Sequence, residues 1–162
     1  MTDAPERPRS ASSRRSRAER EEGVDAWASV LKVHAAVVPE LDRRLQQAHG
    51  LPLTWYDVLL ELNAAPDRRL TMSELGQRAV VSRTRVSRVV DELVKAGHVE
   101  RAANPSDGRS AYAVLTAQGR GLLRAAAPTY LAGIEELFGR HLGDEATAVA
   151  TALSRVLEAA RG

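Results

Sequence analysis

The chain has no cysteine among its 162 residues. That excludes disulfides, cysteine-ligated zinc or iron–sulfur sites and thiol-based oxidant sensing together, and it fits a reducing cytoplasm. Aromatic residues make up only 4%, so the core must be built mostly of Leu, Val and Ala. Such a composition suits packed helices better than an aromatic-rich β-sandwich. There is no apolar run of the roughly 18 residues a membrane span needs, and no apolar secretory leader, so a soluble, cytoplasmic protein without a membrane partner is expected. Four histidines (His34, His49, His98, His141) lie scattered without ligand spacing, and no metal site is expected. A glycine-rich phosphate loop, HExxH, a nucleophile elbow and a plausible triad are all missing, so neither an enzyme nor a cofactor is expected. Lysine is also scarce, two residues against 21 arginines, which makes arginine position more informative than arginine number.

What is present begins with a polar leader. Residues 1–22 hold Pro, Ser, Arg and Glu with almost nothing to bury, and they read as a disordered tail. Arg14, Arg15 and Arg17 offer a less favoured alternative, an arm touching DNA. From Val24 the apolar residues Trp27, Leu31, Val38, Leu41 and Leu45 recur, with His34, at spacings of three and four, the stripe of an amphipathic helix. Pro39 is expected to kink or break it near Val38, and Gly50 to end it. A second helix is expected to open with Thr54 as cap, to carry Trp55, Tyr56, Asp57, Val58, Leu59 and Leu62, and to stop before Pro66.

Thr71-Met-Ser-Glu74 has the form of a capping box, in which hydroxyl and carboxylate reciprocally satisfy donors of the first turn. The short helix it starts is followed by a turn through Val80-Val81 and by Ser82, a cap for a second helix ended by Gly97. Two such helices make a helix-turn-helix. Around the second one, Val86, Val89, Val90 and Leu93 fall on one side. Thr84, Arg88, Asp91 and Lys95 fall opposite, flanked by Arg85 and Ser87. A face with Thr, Ser and Arg in its first two turns suits the major groove, where arginine bonds guanine O6 and N7 and hydroxyls bond bases or phosphates. The backbone amides at the helix start, with Ser82, favour a phosphate. Val99–Ala103 and Ser110–Leu115 are β-prone runs around the turn cluster Asn104-Pro-Ser-Asp-Gly108, hence a β-hairpin. Its Arg109 can enter a narrow minor groove, directed by Asp107 two residues away. Thr116 then caps a helix with Leu122, Leu123, Tyr130, Leu131, Ile134 and Phe138, in which Pro128 is a kink or restart. Gly143-Asp144 punctuates the chain before a last helix with Val149, Leu153, Val156 and Leu157.

The runs Leu59-Leu-Glu-Leu62, Leu70-Thr-Met-Ser-Glu-Leu75, Val81-Ser-Arg-Thr-Arg-Val-Ser-Arg-Val-Val-Asp-Glu-Leu93, Lys95-Ala-Gly97, Val99-Glu-Arg101, Asp107-Gly-Arg109 and Leu115-Thr-Ala-Gln-Gly119 together resemble the multiple antibiotic resistance regulators, the MarR family. The resemblance implies a mainly α fold with a small β-hairpin wing, a winged helix-turn-helix with flanking dimerisation helices. In that layout residues 23–162 form one MarR-type domain: 23–50 and 117–162 as dimerisation helices, 52–116 as the DNA-binding lobe. It further implies a homodimeric, ligand-responsive repressor on a pseudo-palindromic operator of double-stranded DNA, with Arg109 as wing arginine and Asp107 as its orienting acid.

The expected DNA contacts are Ser82, Arg83, Thr84, Arg85, Ser87, Arg88, Asp107 and Arg109. The stripes Val24, Leu31, Val38, then Leu131, Ile134, Phe138, then Val149, Leu153, Leu157 exceed what one small lobe covers and call for a second copy. For a small-molecule effector, Trp27, His34, Trp55, Tyr56, Asp57 and Tyr112 are candidate lining residues, though plain packing explains each aromatic as well. Asp57 and Arg88 are free to pair with each other or with a ligand. The alternative from another class is a winged-helix protein-interaction module, against which the polar Thr84/Arg88 face argues.

Overall fold

A computed structural model describes residues 11–80, 83–108 and 110–161, with the side chains of 18–80, 84–108 and 110–160. It divides into two compact units, Met1–Pro39 and Glu40–Gly162. The first helix, α1 (Ala11–His49), begins in one unit and ends in the other. Residues 11–22, expected to be disordered, are therefore helical. Their Ala, Arg and Glu are good helix formers without an internal breaker, and they extend a helix already nucleated by the stripe after Val24. Residues 1–10 lie outside the described residues. Pro39 does not end the helix. It removes one backbone donor, a loss that the long helical flanks on either side absorb.

In the second unit, Gly50 takes φ of 62°, conformational space open to glycine, and turns the chain out of α1. The next helix, α2 (Leu53–Ala64), starts one residue before the expected cap, with Pro52 at the N-cap position. Thr54 does not cap it. The Leu53 N–H donates instead to Asp42 Oδ1 at 2.8 Å, a carboxylate on the end of α1. A charged acceptor already placed by the preceding helix replaces a hydroxyl inside the turn.

Strand β1 (Arg69–Thr71) was not foreseen, since three residues are too few to show alternation and only Leu70 is buried. It leads directly into α3 (Met72–Arg78), and the capping box forms as expected. Thr71 Oγ1 accepts from Glu74 N at 3.2 Å and the Glu74 carboxylate accepts from Thr71 N at 2.8 Å. The Thr71 backbone and hydroxyl donors hold the Glu74 carboxyl below the usual carboxylate range. Its contribution to stability is thus fully present above that range and is lost as pH falls below it, through the lowered value. Helix α4 (Arg83–Lys95) completes the helix-turn-helix. Gly97, at φ 80°, closes it, with Gly97 N bonded to Val94 O and His98 N to Leu93 O.

Strands β2 (Val99–Ala103) and β3 (Ala111–Leu115) form the hairpin, and the sheet runs β1-β3-β2, antiparallel throughout. Its core-facing residues Leu70, Val99, Ala113 and Leu115 meet Val58, Leu59 and Leu62 of α2, Leu75 of α3 and Val86, Val90 and Leu93 of α4 in one cluster. Thr116 caps α5 (Ala117–Ile134), and Pro128 neither ends nor restarts that helix. A π-helical turn (Glu135–Gly139), a short α6 (Arg140–Leu142) and a turn at Gly143 lead to α7 (Ala146–Arg161).

Candidate nucleic-acid interface

Helix α4 separates two faces cleanly. Val86, Val90 and Leu93 are at most 1% exposed, whereas Thr84, Arg85, Ser87 and Arg88 are all exposed. Burial of one stripe fixes the helix about its axis, and this turns the polar strip outward. Ser82 lies outside the described residues, and of Arg83 only the backbone, the first residue of α4, is described.

Three links position this helix. Asp57 on α2 accepts from Val80 N at 2.8 Å, so a carboxylate holds the last described residue of the turn before α4. Burial pushes the Asp57 carboxyl up, the Val80 bond draws it down, and nearby Glu61 raises it further. The second link is Glu92, which accepts from Trp55 Nε1 on α2 at 3.1 Å and from Arg88 Nε at 3.2 Å. The Trp55 ring in turn meets His98 edge-on, centroids 6.2 Å apart. The third is an ion pair between Asp91 on α4 and Arg101 on β2, 2.8 Å long, joining the helix to the wing. Of the two partners open to Arg88 and Asp57, neither chose the other: Arg88 bonds Glu92 and Asp57 bonds Val80.

The wing's turn is stapled from within. Asn104, 9% exposed, donates through Nδ2 to Ser110 Oγ at 2.7 Å and accepts from Ser106 N at 3.0 Å. Asp107 N bonds Asn104 O, and Ser110 N bonds Asp107 O. This places Asp107 and Gly108 at an exposed tip. Arg109 lies outside the described residues.

The residues expected around a ligand make separate contacts. Tyr56, 3% exposed, packs against Tyr130 with centroids 4.5 Å apart. Burial pushes both phenols up. Tyr112 lies beneath the Arg69 guanidinium at 4.9 Å. Trp55 is engaged with Glu92 and His98. Trp27 and His34, both exposed, belong to the other unit. A cleft of about 470 Å³ opens beside Tyr56 between α2 and α5, lined also by Asn63, Arg68, Arg120 and Arg124. Among the described residues none of these three arginines meets a carboxylate. The sequence did not point to them, because Arg68 precedes β1 while Arg120 and Arg124 lie about fifty residues on, in α5.

Of the stripes assigned to a second copy, Val24, Leu31, Leu131, Leu153 and Leu157 are exposed, and Val38, Ile134, Phe138 and Val149 are half-buried.

The profile of the MarR family matches residues 49–110, from the end of α1 to the wing. The fold and sequence also match a solved structure of Sco3205, a MarR family transcriptional regulator from Streptomyces coelicolor in complex with DNA. That match has a TM-score of 0.76 and 33% identity, covering 85% of this chain and 86% of that one. The chain belongs to the MarR family. A second MarR family regulator of Streptomyces coelicolor, AbsC, is 30% identical with a TM-score of 0.77 over 85% of this chain and 93% of that one. Among curated proteins, the transcriptional repressor MprA of Escherichia coli K12 is 32% identical over 85 residues, 52% of this chain. The match spans about half of MprA, 48% of its length. Within this MarR-family chain, the residue that sequence reasoning missed and the geometry brings forward is Glu92. Its only signal in the sequence is its place four residues after Arg88, one helical turn away.

Proposed function

We propose that this chain is a DNA-binding transcription regulator, acting as a repressor. Two copies would bind a pseudo-palindromic operator, α4 in the major groove and the wing in the minor groove. One observation carries the reading: the exposed Thr84, Arg85, Ser87, Arg88 strip lies opposite the buried Val86, Val90 and Leu93, on the second helix of a capped helix-turn-helix. The relatives' names, repressor and regulator, and the DNA in the Sco3205 structure support it. Replacing Arg88 with alanine tests it. A base contact predicts a loss of about 1–3 kcal/mol per half-site together with relaxed specificity there. A phosphate contact predicts an even loss on all sequences and a shallower salt dependence. Fluorescence anisotropy on matched and scrambled duplexes separates the two, and unchanged binding on both would return the strip to a plain solvated face.

The dimer part of the reading rests on Leu153, Val156 and Leu157, which α7 leaves 38%, 63% and 55% exposed. A second copy would cover them, and the wild type should sediment as a dimer at micromolar concentration. Deleting residues 144–162 should leave a monomer or an insoluble chain. A well-folded truncated monomer with undiminished operator affinity would contradict this. A small anionic effector completes the proposal. The Tyr56 cleft supplies three arginines for its charge, in a volume typical of ligand sites, and adding small organic anions to the DNA-bound protein tests it by release of the duplex.

A further inference from the structure

We infer that Glu92 is a positioning residue for DNA reading: it tethers Arg88 through Nε and so aims the guanidinium's terminal fork at a guanine edge. The inference rests on the DNA-reading function proposed above. Glu92 uses its two oxygens on different partners, Oε2 on the Trp55 indole N–H of α2 at 3.1 Å and Oε1 on Arg88 Nε–H of α4 at 3.2 Å. Trp55 is itself packed on the lobe's core and against His98. The carboxylate is thus anchored to a neighbouring helix and cannot follow a wandering arginine.

Stability does not explain this arrangement. The Arg88 side chain is 83% exposed and that of Glu92 41%, and exposed ion pairs add little to folding. The order, base four residues before acid, is the less favourable one on a helix. A carboxylate near the C-terminal end also opposes the helix dipole. Geometry gives the pair a use instead. The tether occupies Nε–H, and among the described residues the two terminal amino groups of Arg88 have no other partner. Those two groups form the fork that matches guanine O6 and N7. An arginine held this way has less freedom to lose on reaching a base, and is kept from settling on any nearby phosphate.

The test uses the full chain, a duplex enriched by the wild type from a random pool, and a scrambled duplex of equal length. Glu92→Gln keeps the shape, but its single carbonyl oxygen carries no charge and cannot serve both donors with two separate oxygens. The ratio of affinities for enriched over scrambled duplex should fall roughly tenfold. Binding to the scrambled duplex should tighten, and its salt dependence steepen by about one phosphate contact, as the freed arginine finds the backbone. Discrimination should be lost at one base pair in each half-site. In an Arg88→Ala background, Glu92→Gln should leave the ratio unchanged. Trp55→Phe, which keeps the ring and removes the N–H, should reproduce part of the loss, and it carries the test should Glu92→Gln fail to fold. Equal tightening on both duplexes would make Glu92 only a negative charge, and an unchanged ratio in both single variants would make the contact incidental. A further fall of the ratio in the double variant would show that Glu92 acts through some other group. Each of these results overturns the inference while leaving the DNA-binding function standing. A wild type that enriches no duplex overturns both.

Discussion

Gly119→Ala is expected to destabilise the protein by about 3 kcal/mol or more, at the upper end of what overpacking costs. A methyl on Gly119 would lie 2.1 Å from the His98 carbonyl oxygen and 2.9 Å from Leu115 Cδ1. The first of these is backbone and has no rotamer by which to retreat. It is also engaged, because His98 O accepts from Thr116 N at 3.2 Å. The clash therefore falls on the joint where α4 ends and α5 begins. There Thr116 Oγ1 accepts from Gly119 N at 3.0 Å and donates to Gly97 O at 2.8 Å. Gly121, two residues on in the same helix, has nothing within 4 Å of the position a methyl would take. Gly121→Ala should accordingly be neutral or gain up to about 1 kcal/mol, the ordinary preference of a helix for alanine. Thermal melts of both variants check the contrast, with Gly119→Ala expected to melt roughly 10 °C lower. Equal melting temperatures for the two would refute the packing argument.

Arg109→Ala is expected to weaken operator binding by about 1–3 kcal/mol for each wing, with fold and assembly unchanged. The motive is the Asp107-Gly108-Arg109 run in the sequence between β2 and β3, in a turn where Asn104 bonds Ser106 and Ser110. A minor-groove contact adds a signature. The loss should be larger on a duplex whose outer flanks are A·T-rich, where the groove is narrow and most negative, than on one with G·C-rich flanks. Asp107→Ala should cost less, because a freed arginine still reaches the groove but must be ordered on arrival. Anisotropy on the two duplexes measures both variants. Equal losses on the two would leave Arg109 a phosphate contact, and no loss on either would remove the wing from the interface.

Local chemistry explains what could be read without coordinates. The capping box at Thr71 and Glu74, the glycine stop at Gly97 and the cap at Thr116 each need only a few neighbouring residues, and each formed as expected. The two faces of α4 followed from a period of 3.6 alone, since Val86, Val89, Val90 and Leu93 leave no other side to bury. The departures came from distance along the chain. Asp42 took the place of Thr54 at the start of α2 across 11 residues. Arg69–Thr71 became a strand because β3 was there to pair with it. Trp55 and Glu92 lie 37 residues apart, so no periodicity joins them. At Pro39 and in residues 11–22, rules that hold for an isolated segment gave way to a helix already formed on one side.

Thr71 is the last residue of a strand and also the cap of the helix after it, with no spacer between. It pairs with Tyr112 on β3, the middle strand, which is bonded to β2 on its other edge. A fluctuation that parted Thr71 from Tyr112 would therefore uncap α3 at the same moment, and one that opened β3 would release both flanking strands. Amide hydrogen exchange should see this as a single cooperative opening shared by the sheet and the first turn of α3, with one common protection level. Asn104 to Gly108 lie beyond the last ladder pair, Ala103 with Ala111, and should exchange through smaller local openings of their own. The turn bonded by Asn104 can thus open by itself while the sheet beneath it and the start of α3 stay closed.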